Sequence, residues 1–386
     1  MIGMKSPAAA AILLLAGACA SAPQEPIADL KPGERPALGT DEAGLWMQMD
    51  AVEENLSTSG RIVTDPALND YVRKVTCRLS VEYCKDLRLY IVQTPHFNAS
   101  MAPNGTMQVW TGTLLRVQNE AQLAYVLGHE MGHYIRRHSV QRWRSIRNKT
   151  DSMAFFTVTT RMAGLGFMGD LADMAAMASV MAFSRDHERE SDDIGFDMMV
   201  RAGYAASEAP KIWVALEEER TAAGAGNPSL FLSSHPPTKE RLATLQARAS
   251  EYAGQGKIGS KPFLAAIRRY RTDWLRDEVR KRDFEGTEVL LANLLQAGYP
   301  AGEIYFFEGE LYRLRGDDGD MKEAISAYRK ALASTGAPAE THRALGVMYW
   351  KSDQPIQARK SFRAYLAAAP KAEDRAMIKS YIQQLK

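Results

Sequence analysis

The stretch VLGHEMGHYIRRH, residues 126–138, decides how the rest of this sequence is interpreted. His129 and His133 are four positions apart, which puts both imidazoles on one face of a helix, one turn apart. Glu130 follows the first histidine directly. Zn²⁺ binds imidazole nitrogens and keeps one position open in catalytic sites, where a neighbouring carboxylate can accept a proton from water. The motif therefore predicts a zinc site, but it needs a third ligand.

The residues before the motif predict that it lies on a helix. Asn119 can cap a helix, with Gln122 three residues further on. Leu123, Val126 and Leu127 then recur at helical spacing. We therefore expect one helix to run from about residue 119 through both histidines.

The segment SRDHERESDDIGFDMM, residues 184–199, supplies the third ligand. Glu188 and Asp192 are one helical turn apart, so Glu188 can complete the zinc site while Asp192 accepts a hydrogen bond from the outer N–H of a ligand histidine. Glu190 is the rival ligand, but it lies on another face of the helix and is followed four residues on by Ile194. We therefore predict His129, His133 and Glu188 as ligands of one Zn²⁺ per chain.

Three other histidines, His96, His138 and His187, lack a partner at ligand spacing. Most such histidines belong to the core or the surface of a protein rather than to a metal site. We expect core or surface roles for all three.

Composition describes a folded globular protein. The 386 residues are 46% hydrophobic and 24% charged, which allows a sizeable core and two or three domains. The formal net charge is +2, so there is no overall electrostatic case for a nucleic-acid partner. The basic stretch 136–149 is interpreted as a solvated helix end.

The first residues predict an export signal over 1–22, with a lysine, an apolar run and then small residues. AGAC ending at Cys19 is similar to a lipoprotein box, in which Cys19 is lipidated, although Ala16 stands where leucine is usual. Cleavage after Ala20 or Ala22 also fits. The expected location is the periplasm, either as a soluble protein or anchored to the outer membrane as a lipoprotein, and peripheral contact with the membrane remains open.

Cys77 and Cys84 are the cysteines left once Cys19 is removed or lipidated. In an exported chain an even pair favours a disulfide. The alternative is two small buried thiols, while the spacing excludes a CxxC metal or redox site.

Local signals predict several elements. Asp65 and Pro66 mark the start of a helix over 64–80, and residues 87–93 form a strand. A turn at residues 103–105 precedes a second strand, which comprises Met107, Gln108, Val109, Trp110 and Thr111.

Domain organisation follows from composition and from an internal repeat. The proline-rich residues 23–45 are interpreted as a linker, 46–255 as the domain that carries the zinc site and 260–386 as a helical repeat domain. The Met-rich and Ala-rich segment 152–183 is interrupted by charges, which favours a lid-like helical pair over a transmembrane span.

The repeat has a period of 34 residues. Ala324, Tyr328 and Ala331 recur as Ala358, Phe362 and Tyr365. This pattern of small and aromatic residues resembles the tetratricopeptide repeat, whose stacked hairpins form a groove that binds peptides or partner proteins. The alternative is a structural cap on the first domain.

Four stretches together resemble the gluzincin peptidase family that includes HtpX and the CAAX prenyl protease. They are NASMAPNGTMQVWTGTLL (98–115), AQLAYVLGHEMGHYIRRH (121–138), SRDHERESDDIGFDMMVRAGY (184–204) and SSHPPTKERL (233–242). The repeats make the chain most similar to the BepA group of periplasmic metalloproteases. The resemblance implies a mainly α (α+β) fold, a zincin-type domain with a small sheet followed by the helical repeats.

The resemblance also implies residue roles. Glu130 is the expected general base and acid, beside the ligands already predicted. His235 is expected to close over the zinc as a fourth ligand, although it could merely cap the next helix. Arg241 is expected to stabilise the oxyanion of the tetrahedral intermediate, although it could pair with a nearby carboxylate. The strand Met107 to Thr111 is expected to border the cleft and to add an extended substrate as a further strand.

We therefore expect an exported zinc endopeptidase that cleaves unfolded or misassembled envelope proteins in outer-membrane protein quality control, with self-inhibition through His235. The repeat domain would contact the outer-membrane assembly machinery. The alternative is a chaperone or scaffold for outer-membrane assembly with little proteolysis.

Overall fold

The computed structural model describes residues 27–147, 182–224 and 230–385. The expected export signal with Cys19, and nearly all of the lid-like segment 152–183, lie outside these ranges. Within the described part of the chain, no helix combines the length and the apolar character needed to cross a membrane.

Most of the described chain is helical. The helices, in chain order, are α1 Asp41–Thr58, α2 Pro66–Leu79, α3 Thr111–Arg116, α4 Glu120–Ile135, α5 His138–Arg147, α6 Arg185–Arg201, α7 Ala209–Ala223, α8 Leu230–Ser234, α9 Lys239–Glu251, α10 Ser260–Ile267, α11 Arg271–Arg280, α12 Phe284–Gln296, α13 Ala301–Arg315, α14 Asp320–Ala333, α15 Glu340–Lys351, α16 Pro355–Ala368 and α17 Arg375–Gln384. A single 3₁₀ turn at Ala206–Glu208 precedes α7 within the described residues.

One small sheet accompanies the helices in the described part of the chain. Its strands are β1 Arg88–Val92, β2 Ala99–Met101 and β3 Thr106–Trp110, in the order β1, β3, β2. β1 pairs with β3 in parallel, and β2 pairs with β3 antiparallel. The predicted fold class, mainly helical with a small sheet and a helical C-terminal part, is confirmed.

The position of β3 corrects the expectation for the substrate-binding strand. Met107, Gln108 and Val109 pair with β1 on one side and with β2 on the other, so β3 is the central strand. A strand whose two edges are both paired cannot add a further strand. Thr111 is the first residue of α3 rather than a strand residue. Among the described residues the edge without a neighbouring strand belongs to β2, which lies against α4.

The N-terminal segment, which belongs to the predicted linker, is packed against the rest of the chain. Residues 27–40 have no helix or strand, as their prolines predict, but they do not behave as a free tether. Leu30 is buried, and its backbone N–H donates to the carbonyl of Ile135 at 2.8 Å. The hydroxyl of Tyr83 donates to the Leu30 carbonyl at 2.5 Å. The segment is thus fixed across the C-terminal end of α4.

Helix α2 and the bond next to it agree with the sequence. The Asp65 side chain caps the helix by accepting from Leu68 N–H, and Pro66 occupies the first turn. Cys77, near the end of the helix, is joined to Cys84 by a disulfide. The bond ties the end of α2 to the chain leading into β1.

The C-terminal helices pack in consecutive pairs, α13 with α14 and α15 with α16. Gly309 of α13 lies so close to Tyr328 of α14 that an added Cβ would be 2.4 Å from the ring. Gly346 of α15 meets Phe362 of α16 in the same way, at 2.7 Å. The repeated aromatic residues Tyr328 and Phe362 therefore each contact a glycine of the paired helix. The assignment to tetratricopeptide repeats stays a prediction.

Candidate metal centre

Close contact between two helices brings the predicted ligands together. Gly128 of α4 faces Gly195 of α6, where a Cβ on Gly195 would be 2.6 Å from the His129 nitrogen. One turn later, a Cβ on Gly132 would be 2.9 Å from the Cα of Ser191. The backbones can approach this closely only because side chains are missing at the crossing. The crossing sets the acidic face of α6 against the histidine face of α4.

Four buried side chains converge at the crossing: His129, His133, Glu188 and His235. His129 Nε2 lies 3.1 Å from His133 Nε2 and 3.3 Å from His235 Nδ1. Glu188 Oε1 lies 3.0 Å from His235 Nδ1 and 3.5 Å from His133 Nε2. Ligands at about 2.05 Å from a tetrahedral zinc are about 3.3 Å from each other. The donor set and its spacing therefore fit Zn²⁺.

Glu130 lies next to this cluster and is 2% exposed. Its Oε1 atom has no hydrogen-bond donor among the described residues, and the imidazole nitrogen His235 Nε2 lies 3.8 Å away. Burial raises the pKa of Glu130 above that of a free glutamic acid, although His235 and His129 act in the opposite direction. A buried carboxylate with an unused acceptor is suited to take up a proton.

Asp192 lies beside the outer nitrogen of the first histidine. His129 Nδ1 lies 3.0 Å from Asp192 Oδ1, which fixes the ring with Nε2 directed at the other ligands. The hydroxyl of Tyr125 also donates to Asp192, at 2.8 Å, and accepts from Trp213 Nε1 at 3.1 Å. Burial alone would raise the pKa of Asp192, but Arg241 and His129 lower it well below its usual range.

Arg241 corrects the expectation of an oxyanion role. Its Nε and Nη2 donate to the two oxygens of Asp192 at 2.7 and 2.8 Å. Its Nη1 lies 2.7 Å from Glu188 Oε2 and donates to the carbonyl of Pro236. The guanidinium therefore pairs with the carboxylates of Asp192 and Glu188. The geometry supports the alternative left open by the sequence, that Arg241 pairs with a nearby carboxylate. Arg241 thus bonds to two acidic residues of the site.

The chain at residues 63–249 matches the sequence pattern of peptidase family M48. This range contains both helices of the crossing and all four convergent residues. Residues 63–249 form an M48 peptidase domain.

The relatives of this chain are named as proteases, some for beta-barrel assembly and some as mitochondrial. The chain is 27% identical over 254 residues to a putative beta-barrel assembly-enhancing protease of Vibrio cholerae, covering 61% of this chain and 51% of that one. It is 32% identical over 183 residues to the mitochondrial metalloendopeptidase OMA1 of Arabidopsis thaliana, covering 45% and 36%. The beta-barrel assembly-enhancing protease of Escherichia coli is 26% identical, with 60% and 50% covered. The chain thus spans about half the length of the curated relatives it matches.

Glu190, the rival ligand, lies away from the four convergent residues of the M48 domain. Its carboxylate accepts from Arg136 Nη2 at 3.0 Å and lies 2.9 Å from His138 Nε2. The bond from Arg136 lowers the pKa of Glu190 to about 2. Glu190 is therefore an ion-pair partner at the surface of the site.

His138 was expected in the core or on the surface, and it is buried, but it contacts the site. Its Nδ1 lies 3.0 Å from Nδ1 of His133. The sequence carries a signal that could have revealed this contact, since His138 follows His133 by five residues, just past the end of α4. Tyr125 was missed because its spacing of four from His129 is also that of an ordinary apolar stripe.

Proposed function

We propose that this chain is a zinc-dependent endopeptidase. The observation that supports it is the convergence of His129, His133 and Glu188 beside a buried carboxylate, Glu130, with an unused acceptor. Structural zinc sites seldom carry such a carboxylate, whereas a catalytic site needs a base next to its open position. The family match and the metalloendopeptidase relatives support the same conclusion.

The mechanism assigns a task to each residue. His129, His133 and Glu188 would hold one zinc ion per chain, which when bound polarises the scissile carbonyl and makes the attacking water more acidic. Glu130 Oε1 accepts the proton of that water, and the raised pKa of its carboxyl group lets it keep the proton until the leaving amine receives it. Asp192 and Arg241 keep His129 and Glu188 in position.

His235 supports a self-inhibited resting state. Its Nδ1 lies within 3.3 Å of both His129 and Glu188, and its Nε2 faces Glu130. The ring therefore occupies the space between ligands and base that a scissile carbonyl would need. Phe231 stacks on it with ring centroids 4.5 Å apart. We propose that His235 is a fourth ligand that must withdraw before cleavage.

The edge of β2 is the proposed docking site for an extended substrate. In an antiparallel pair, backbone groups point alternately toward and away from the partner strand. Asn98 and Ala102 bond to the β3 side of the sheet, which leaves the backbone groups of Ala99 and Met101 directed away from β3. Both residues are buried, so a substrate strand would have to displace what covers this edge. Hydrogen bonds between main chains depend little on the side chains of the substrate, which suits the binding of unfolded or misassembled proteins.

The proposed setting is the bacterial envelope. The relatives named for beta-barrel assembly support a role in quality control of outer-membrane proteins. We propose that the chain is exported to the periplasm, soluble or anchored to the outer membrane through Cys19, and that residues 260–386 contact the outer-membrane assembly machinery.

A chaperone or scaffold with little proteolysis is the second candidate, and the closed position of His235 favours it. The variant Glu130→Gln separates the two. For an enzyme, we expect this variant to bind an unstructured protein normally, to cleave it at least about 100-fold more slowly, and to leave a strain lacking the gene with a defective envelope. Full restoration of the envelope by Glu130→Gln would favour the scaffold.

A further inference from the structure

His138 and Glu190 continue the metal cluster outward on the side of the second histidine. His138 Nδ1 lies 3.0 Å from His133 Nδ1, and His138 Nε2 lies 2.9 Å from Glu190 Oε2. We propose that His138 is a positioning residue that fixes the orientation and tautomer of His133 on behalf of the Glu190 carboxylate. The inference rests on the proposed function, because it requires His133 to bind the metal through Nε2.

The local backbone brings His138 to this position. Helix α4 ends at Ile135, and Arg137 has a positive φ of 55°, which turns the chain back. His138 then begins α5, with its side chain completely buried against His133. Since a side chain rarely adopts a left-handed backbone without stabilising contacts, the ion pair between Arg137 and Glu42 helps to hold the turn.

Proton counting leaves one arrangement for the three groups. If His133 Nε2 binds the metal, His133 Nδ1 carries the proton and donates it to His138 Nδ1. His138 must then carry its own proton on Nε2 and donate it to Glu190. Two imidazoles facing each other through Nδ1 cannot both be donors. The Glu190 carboxylate, which accepts only, therefore decides which nitrogen of His133 is free for the metal.

We call the hydrogen bonds from His133 through His138 to Glu190 the relay. The other groups around His138 support the relay rather than compete with it. The hydroxyl of Ser191 lies 3.3 Å from His138 Nδ1, farther than His133 does. His187 stacks on the His138 ring, with centroids 4.2 Å apart and planes 15° apart. Arg136 donates to Glu190 through Nε and Nη2, at 3.2 and 3.0 Å, which fixes the carboxylate.

The first test measures zinc affinity, by competition with a chelator, in the full chain. We expect His138→Phe to raise the zinc Kd about 10- to 100-fold, the usual effect of losing a hydrogen-bond partner of a metal ligand. His138→Gln, whose amide can accept from His133 and donate to Glu190, should recover most of the affinity. The control His187→Gln removes the stacked ring but leaves the relay, and should stay within about twofold.

Unchanged zinc affinity in folded His138→Phe would overturn the proposal, and so would an equal loss in His187→Gln, which would indicate packing alone. If His138→Phe does not fold, Glu190→Ala decides. This side chain is partly exposed, so its removal should leave the fold intact. A Kd no more than twofold above the wild-type value in Glu190→Ala would contradict the relay.

A second readout observes the protons directly. In the zinc-loaded protein with ¹⁵N-labelled histidines, we expect His133 to be protonated on Nδ1 and His138 on Nε2. The opposite tautomer of His138 would overturn the proposal. Neither measurement uses proteolysis. A wild-type chain that binds no zinc would refute the proposed function, whereas normal zinc binding in His138→Phe would refute only the relay.

Discussion

Asp192 is the residue on which most polar contacts around the metal centre converge. It contacts His129, Tyr125 and both ends of the Arg241 fork, each within 3.0 Å. A single carboxylate thus sets the tautomer of a ligand and neutralises a buried guanidinium. Both effects depend on its negative charge.

We predict that Asp192→Asn weakens zinc binding about 10- to 100-fold, because His129 loses its charged partner. It should also lower the free energy of unfolding by about 3–5 kcal/mol, since Arg241 is left buried with less compensating charge. Chelator competition and urea denaturation measure the two effects.

The control is Asp193→Asn, the next residue of the same helix. Asp193 pairs with Arg248 at the surface, with 59% of its own side chain exposed. Its replacement should change the free energy of unfolding by less than about 1 kcal/mol and leave zinc affinity unaltered. Equal effects of the two substitutions would refute the special role of Asp192.

At the scale of elements, the crossing of α4 and α6 determines the geometry of the site. Gly128 and Gly195 bring the two backbones into contact, so that ligands on different helices come within 3.5 Å of each other. The distance between ligands on the two helices is set by the glycines at the crossing, not by the spacing of ligands within each helix.

We predict that Gly195→Ala disrupts the crossing. The new Cβ would be 2.6 Å from the His129 nitrogen, which is backbone and cannot rotate away. We expect a loss of about 1–3 kcal/mol in the free energy of unfolding and weaker zinc binding as α6 moves outward. Gly44→Ala in α1 is the control, because a Cβ there has no neighbour within 4 Å. It should leave zinc affinity unchanged, and full affinity in Gly195→Ala would contradict the account.

How well the sequence predicted each element depended on whether the signal was local. The caps at Asp65 and Asn119 predicted the starts of α2 and α4, and helical spacing predicted that His129 and His133 share a face. The strand order was not predictable in this way. The strand β3, which was expected at an edge, is the central one, while the edge strand β2 has only three residues. The pairing of Arg241 depends on a contact across 49 residues, for which spacing gives no information.

At the scale of the whole molecule, a buried ion cluster links the M48 domain to the C-terminal helices. Arg116, at the end of α3, bonds to Glu219 of α7 and to Glu278 of α11, each at 2.7 Å. Lys281 adds a second cation, 2.8 Å from Glu278. The hydrophobic core is also continuous across this boundary, since one buried cluster includes residues from Leu30 to Met348. We therefore expect the two parts to unfold together.

We predict that Glu278→Gln lowers the free energy of unfolding by about 3 kcal/mol, because it leaves the buried Arg116 with Glu219 alone, while Lys281 keeps only the more distant Asp283. Asp273→Asn on the same helix is the control, since it removes only a surface pair with Arg276 and should cost less than about 1 kcal/mol. Urea denaturation followed in both parts of the chain measures the effect. A fully stable Glu278→Gln variant would contradict this link.

The buried carboxyl group of Glu219 should make the stability of the protein depend on pH. Burial, with a contribution from the negative Glu278, raises its pKa from 4.5 to about 6 even though Arg116 opposes the shift. The folded state therefore binds this proton more tightly than the unfolded state. The associated stability, about 2 kcal/mol, is fully present below pH 4.5 and is lost as the pH rises through about 6.

The measurement compares the free energy of unfolding of wild type and Glu219→Gln between about pH 4.5 and pH 7. As the pH rises over this range, the free energy of unfolding of Glu219→Gln should increase by about 2 kcal/mol relative to that of wild type. Glu218→Gln, an exposed neighbour on α7, controls for the loss of one negative charge. A constant difference between wild type and Glu219→Gln would refute the prediction.

The most direct test of the metal centre measures zinc content and cleavage of casein, an unstructured protein, in two variants. The His235→Ala background removes the proposed block, so a latent wild type does not obscure the result. We predict that His235→Ala binds one zinc per chain and cleaves casein, and that adding Glu130→Gln retains the zinc but slows cleavage at least about 100-fold. Undiminished cleavage in the double variant, or a His235→Ala protein that binds no zinc, would contradict the account.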